Sequence, residues 1–203
     1  MEDRNRHAGH PEKPEGPAAA GMLERMNSNH APLRDWGLPH ITWTKGMRIL
    51  DVGCGGGATI ADMLKLSPES AIDGIDYSDE SVEASRRLNA EHLGYRVDIR
   101  KAEVTSLPFV DNTFDLVTAV ETVYFWPEID RAIREIRRVL KPYGVFAILN
   151  EGSDPEETSW PDVDGFCRIY RPEELTGLLR AAGMNAVRYY RGSGQYICVL
   201  SRK

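Results

Sequence analysis

The chain has 203 residues, 41% hydrophobic and 28% charged, too apolar a mix for a wholly disordered protein and an ordinary one for a globular protein. With 25 Lys and Arg against 31 Asp and Glu it carries a formal net charge of −6, which weighs against nonspecific binding to nucleic acid or anionic lipid. The length suits one domain with extra segments. No stretch approaches the roughly 20 apolar residues of a membrane span, and the opening residues lack the apolar segment of a secretory signal.

Residues 1–17 are charged, contain Pro11, Pro14 and Pro17, and offer almost nothing to a core, so a disordered tail is expected. His7 and His10 are read as part of that solvated tail rather than as metal ligands. Residues 18–31 carry helix formers and the apolar set Met22, Leu23 and Met26, which predicts a short helix, followed by an irregular segment PLRDWGLPH. Together, residues 18–44 are expected to form an N-terminal helical lid.

From Met47 onward, strand and helix patterns alternate. MRILDVG reads as a buried strand and residues 57–66 as a helix with Ile60, Met63 and Leu64 on one face. AIDGID is a second strand, followed by the helix SDESVEASRRLNAEHL with Ser78 as its cap. YRVDIRKA and FDLVTAV are strands. The helix after Pro127 has Ile129, Ala132, Ile133, Ile136, Val139 and Leu140 at spacings of three and four, and Lys141-Pro142 stops it. VFAILN is a strand, and RPEELTGLLRAAG is a helix that opens on proline and closes on Gly183. The last residues form two strands around Gly192-Ser193-Gly194. The order predicts an α/β fold over residues 45–203: a doubly wound, mostly parallel, seven-stranded sheet ending in an antiparallel hairpin.

The local signal for chemistry is Leu50-Asp51-Val52-Gly53-Cys54-Gly55-Gly56-Gly57, a strand entering a glycine turn and then a helix. Glycines admit a ligand close to the backbone, and the helix start offers free N–H groups. Asp76, at the end of the second strand, is placed to accept hydrogen bonds from both hydroxyls of a ribose. The pair points to a nucleoside-containing ligand without choosing among nucleosides, since Gly53-x-Gly55-x-x-Ala58 also fits a dinucleotide pattern. Cys54, Cys167 and Cys198 form no CxxC pair and no zinc-ligand spacing, so reduced thiols in a cytoplasmic protein are expected. No metal set is evident.

LDVGCGGG, GIDYSDE, AEVTSLPFVDNTFDLV and EIRRVLKPYGVFAI resemble, in order, the motifs of class I S-adenosylmethionine-dependent methyltransferases, nearest to their small-molecule, type 11-like branch. The resemblance covers about residues 45–150. It implies S-adenosylmethionine as cofactor, S-adenosylhomocysteine as product, and methyl transfer to an O, N, S or C atom of a small molecule. A non-catalytic nucleoside-binding protein and an NAD-dependent oxidoreductase are the alternatives; the second would need a set such as Tyr-x-x-x-Lys, which is missing from the sequence. Expected partners are a small-molecule acceptor, with no nucleic acid and no membrane, in a monomer or homodimer.

Residue by residue, the resemblance implies that Asp51 orders the glycine turn and the amino-acid end of the cofactor, with Gly53, Cys54, Gly55 and Gly57 beneath it. Asp76 takes the ribose, Tyr77 packs on the adenine, Glu103 accepts from its amino group, and Val104 adds a backbone contact. Ala119, Val120 and Glu121 touch the methionine portion. Where many members carry Glu-His after the fourth strand, this chain has Tyr124-Phe125-Trp126, an aromatic wall near the expected methyl group. Tyr143 replaces a family glycine. Met26, Asn29, His30 and Trp36, with Tyr124 and Trp126, are the substrate and lid candidates. Glu121, Tyr124 and His30 are the candidates for a catalytic base.

Overall fold

The computed structural model describes residues 13–157 and 167–203. The strands are β1 (Arg48–Val52), β2 (Ala71–Asp76), β3 (Val97–Lys101), β4 (Phe114–Val120), β5 (Leu140–Asn150), β6 (Asn185–Arg191) and β7 (Ile197–Arg202). They form one sheet in the order β3-β2-β1-β4-β5-β7-β6. β1 to β5 run parallel, while β7 lies antiparallel to both β5 and β6. This is the expected doubly wound sheet with its terminal hairpin.

The helices are α1 (Ala19–Asn29), α2 (Ala31–Gly37), α3 (Ala58–Leu66), α4 (Asp79–Leu88), α5 (Ile129–Val139) and α6 (Pro172–Ala181). Ser78 caps α4 as expected, its hydroxyl accepting from Ser81 N at 3.3 Å. α5 buries Ala132, Ile133, Ile136 and Val139 and passes directly into β5. Tyr143, within β5, stands at φ +66°, a conformation that glycine takes freely and that costs an L-residue about 1 kcal/mol. No helix among the described residues is long and apolar enough to cross a membrane.

Strand alternation splits the core into two layers. Leu50, Val52, Val117, Ala119 and Ile148 face the layer that contains α5 and α6, whereas Ile49, Leu116, Val120, Ala147 and Leu149 face the layer built with Ile60 and Met63 of α3. Leu33, Leu38 and Ile41 complete that second layer from the N-terminal segment.

Two expectations change. PLRDWGLPH is helical rather than irregular, forming most of α2 and then a 3-10 turn at Leu38–His40. Pro32 occupies the first turn of α2, where its missing N–H has no intrahelical acceptor to lose. The tail ends earlier than residue 17: Pro14 is buried, and its carbonyl accepts from Ser78 Oγ at 3.0 Å. Residues 1–12, including His7 and His10, lie outside the described residues.

Candidate active site

A cavity of about 920 Å³ opens at the carboxyl ends of β1, β2 and β4. Between β1 and β4 the strand order reverses, and doubly wound sheets bind ligands at that crevice. The glycine turn forms its floor. Gly53 N and Cys54 N donate to Ile75 O at 2.8 and 2.9 Å, which ties the turn to β2. Gly55 has φ +49°, and a Cβ built there would meet nothing within 4 Å, because the position faces the open cavity. Backbone that only glycine lays bare is the surface a phosphate-free nucleoside cofactor can approach closely.

Asp76 closes the next side. Its carboxylate accepts from Gly55 N at 2.9 Å and Ser78 N at 3.0 Å, so both oxygens are held in place with lone pairs left for a ligand. Burial raises its pKa, and those N–H donors oppose the rise. Tyr77, Val104 and Glu103 line the same cavity, with Glu103 exposed at its rim. A cavity of this volume, a bare glycine and a buried carboxylate at the end of β2 fit the adenosine portion of S-adenosylmethionine.

Asp51 lies beneath the turn rather than in the cavity. It is 1% exposed and accepts from Thr118 Oγ1 at 2.7 Å. Burial pushes its pKa up to about 7, while the Thr118 bond and the nearby Arg34 pull it down. Folded Asp51 thus keeps its proton to about pH 7, whereas the unfolded chain loses it near 3.8. The folded state binds that proton more tightly, so stability falls as pH rises between these values. Asp51→Asn keeps an acceptor for Thr118 and removes this dependence. In the ligand-free protein the variant is expected to match the wild type in melting temperature at pH 4 and to melt higher at pH 8, where the wild type has lost on the order of 4 kcal/mol of stability. Equal melting temperatures at pH 8 would show that Asp51 is ionised at no cost.

At the opposite end of the cavity stands Glu121, the first residue after β4. It holds φ +58°, a conformation that costs a non-glycine residue roughly 1–3 kcal/mol and that recurs at functional sites. Its Oε1 accepts from Glu151 N at 2.5 Å and faces Tyr124 Oη at 3.1 Å, while Oε2 is buried without a hydrogen-bond partner among the described residues. Burial and the adjacent Glu151 push the Glu121 pKa up to about 8. Tyr124 Oη accepts from Gly152 N at 2.8 Å, which fixes the ring. His30, at the junction of α1 and α2, brings Nε2 to 3.9 Å from Glu121 Oε2 and 3.8 Å from Glu151 Oε1. Its pKa is lowered to about 4, chiefly by burial and then by Arg34, so the imidazole is neutral near pH 7. Phe125 and Trp126 extend the aromatic wall, and Leu23 and Met26 of α1 cover the cavity from above.

The structure thus brings Gly53, Cys54, Gly55, Asp76, Tyr77, Glu103, Val104, Val120 and Glu121 together with Met26, His30, Tyr124 and Trp126. It leaves others out. Gly57 serves as the left-handed N-cap of α3, packed against Ser85 and Asn89. Ala119 points into the α5–α6 layer, as alternation from Val120 requires. Asn29 is exposed on the outer side of α1, and Trp36 packs on Gly192 and edge-on to His40. Sequence reasoning missed Pro14, Asn27, Arg34, Gly56 and Thr122 in the wall, and Glu151 beside it. Asn27 donates to Gly56 O at 3.2 Å, tying α1 to the turn across 29 residues.

Residues 50–148 match the family model of a methyltransferase domain. The chain is 35% identical over 105 residues to the sterol 24-C-methyltransferase erg6 of Aspergillus fumigatus, covering 51% of this chain and 28% of that one. It is 33% identical over 133 residues to the methyltransferase GfsG of Streptomyces halstedii, covering 64% and 48%. It therefore spans less than half the length of either relative. A SAM-dependent methyltransferase from Aquifex aeolicus shares its fold, with a TM-score of 0.76 over 90% of this chain and 97% of that one at 22% identity. The family match runs from β1 to β5 and contains the glycine turn, Asp76 and Glu121, so residues 50–148 are a methyltransferase domain, carried on a fold shared with S-adenosylmethionine-dependent methyltransferases.

Proposed function

We propose that the chain transfers the methyl group of S-adenosylmethionine to a small molecule seated between the cofactor and α1. The observation that carries this reading is the single cavity wall in which a glycine backbone and Asp76 stand at one end and Glu121, Tyr124 and His30 at the other. When bound, S-adenosylmethionine supplies an already activated methyl group whose transfer leaves a neutral thioether.

The chain's own residues then have three tasks. Asp76 accepts from the ribose hydroxyls, with Tyr77 against the base and Glu103 at the rim. Leu23 and Met26 exclude water from above, which strengthens every polar contact inside. Tyr124, held by Glu121 and Gly152, and Trp126 align the acceptor, and alignment alone supplies roughly 7–11 kcal/mol in favourable cases. His30 Nε2 and Glu121 Oε2 face the acceptor side.

Isothermal titration of S-adenosylhomocysteine and of NAD tests the cofactor end. One-to-one binding of the first and none of the second is expected, and the reverse order of affinity would defeat the proposal. Transfer of a labelled methyl group to a panel of small hydroxylated and aminated compounds then tests turnover. Binding without transfer to any of them would favour a non-catalytic role.

A further inference from the structure

Glu121, Glu151 and His30 come from three places in the chain: the ends of β4 and β5 and the α1–α2 junction. Their nearest ligand atoms all lie within 4.8 Å of one another. Two carboxylates facing one another across a largely buried space repel unless one keeps its proton or a cation lies between them, and a divalent ion displaces that proton. Arg34, the cation beside this group, already gives its Nε to Asp62 at 3.0 Å. Glu121 has one oxygen occupied by Glu151 N and Tyr124, which fixes the direction of the other. That other oxygen, on a side chain 4% exposed, has no hydrogen-bond partner among the described residues and faces His30. A buried, oriented and unpartnered carboxylate oxygen is the feature that asks for a ligand here.

We propose that His30, Glu121 and Glu151 bind one divalent metal ion at the acceptor end of the cavity, and that this ion seats an oxygen-bearing acceptor. The inference rests on the methyl-transfer reading for its second half only. One imidazole nitrogen and two carboxylate oxygens suit a borderline or hard ion such as Mn²⁺, Fe²⁺ or Zn²⁺ rather than Cu⁺. Three protein ligands leave positions open for acceptor oxygens, as catalytic sites do and structural ones do not. The Tyr124 and Gly152 contacts then orient a ligating carboxylate from behind.

The test uses the full chain, stripped with a chelator and titrated calorimetrically with MnCl₂ and, separately, ZnCl₂. Saturable binding at one ion per chain is expected. Glu151→Gln and His30→Ala are each expected to weaken it at least about 100-fold while melting temperature stays within a few degrees of wild type. Glu151→Gln should leave S-adenosylhomocysteine affinity within about twofold, since Glu151 lies outside the adenosine end. Absence of saturable binding of either metal by the wild type, or equal binding by both variants, overturns the site. Saturable binding of tetramethylammonium by the stripped wild type, with no metal binding, would assign the carboxylates to a cationic acceptor and also overturn it. S-adenosylhomocysteine binding is read in the same preparations, so a failed cofactor reading shows separately from a failed metal site.

Discussion

Asp76→Ala is expected to weaken S-adenosylhomocysteine binding at least about a hundredfold while the fold survives. The carboxylate is held by Gly55 N and Ser78 N, so it meets a ligand already oriented. A hydrogen bond to a charged group contributes about 1.5–3 kcal/mol, and two ribose hydroxyls share this acceptor. Roughly 3 kcal/mol in total is a little over two decades in affinity. Stability should suffer less, because Asp76 borders the cavity and water can serve the two N–H groups that the variant releases. Gly55→Val makes the complementary test. Its Cβ enters open cavity where nothing stands within 4 Å, so the variant blocks the ligand rather than the fold. Because φ is +49° there, a branched residue adds strain of its own, and thermal melting must accompany the titration. An Asp76→Ala affinity within threefold of wild type would remove Asp76 from the ribose.

The parts of this site that the sequence made legible are those written in consecutive residues. A strand that ends in Gly53-Cys54-Gly55 and a second strand that ends in Asp76 need only local pattern and a crossover rule to be placed side by side. What stayed hidden depends on contacts across long stretches of chain. Glu151 meets Glu121 because β5 pairs with β4 in one particular register, and no periodicity states that register. Arg34 reads as a surface charge until Asp62 is found beside it. Asn27 was recoverable: Leu23, Met26, Asn27 and His30 follow spacings of three, one and three along α1, one helical face, and Asn29 falls off it. The side chain of Ala119 shows the same dependence in a strand, where one step from Val120 reverses the face.

Leu33→Ala is expected to cost about 3 kcal/mol of stability and to leave S-adenosylhomocysteine affinity at low temperature within about twofold. The N-terminal segment divides into two parts with different duties. α1 covers the cavity through Leu23, Met26 and His30. α2 belongs to the sheet's second layer: Leu33 is fully buried there, and Gly37 lies so close to Leu149 that a Cβ would collide with it. Gly192 is pressed against the Trp36 ring in the same way from the terminal hairpin. For a chain of this size, 3 kcal/mol lowers the melting temperature by roughly 6–12 °C. Met26→Ala should show the opposite division, a clear loss of affinity and faster release of ligand with a smaller drop in melting temperature. Truncation through residue 38 merges the two effects, because it removes Leu33 and Leu38 from the layer that holds Leu149 and uncovers the cavity as well. The two point variants therefore separate what the truncation cannot, provided the molecular mass of each is measured to exclude altered association. If Leu33→Ala melts with the wild type, α2 is not a layer of the core, and the whole segment from Ala19 to His40 moves as a cover.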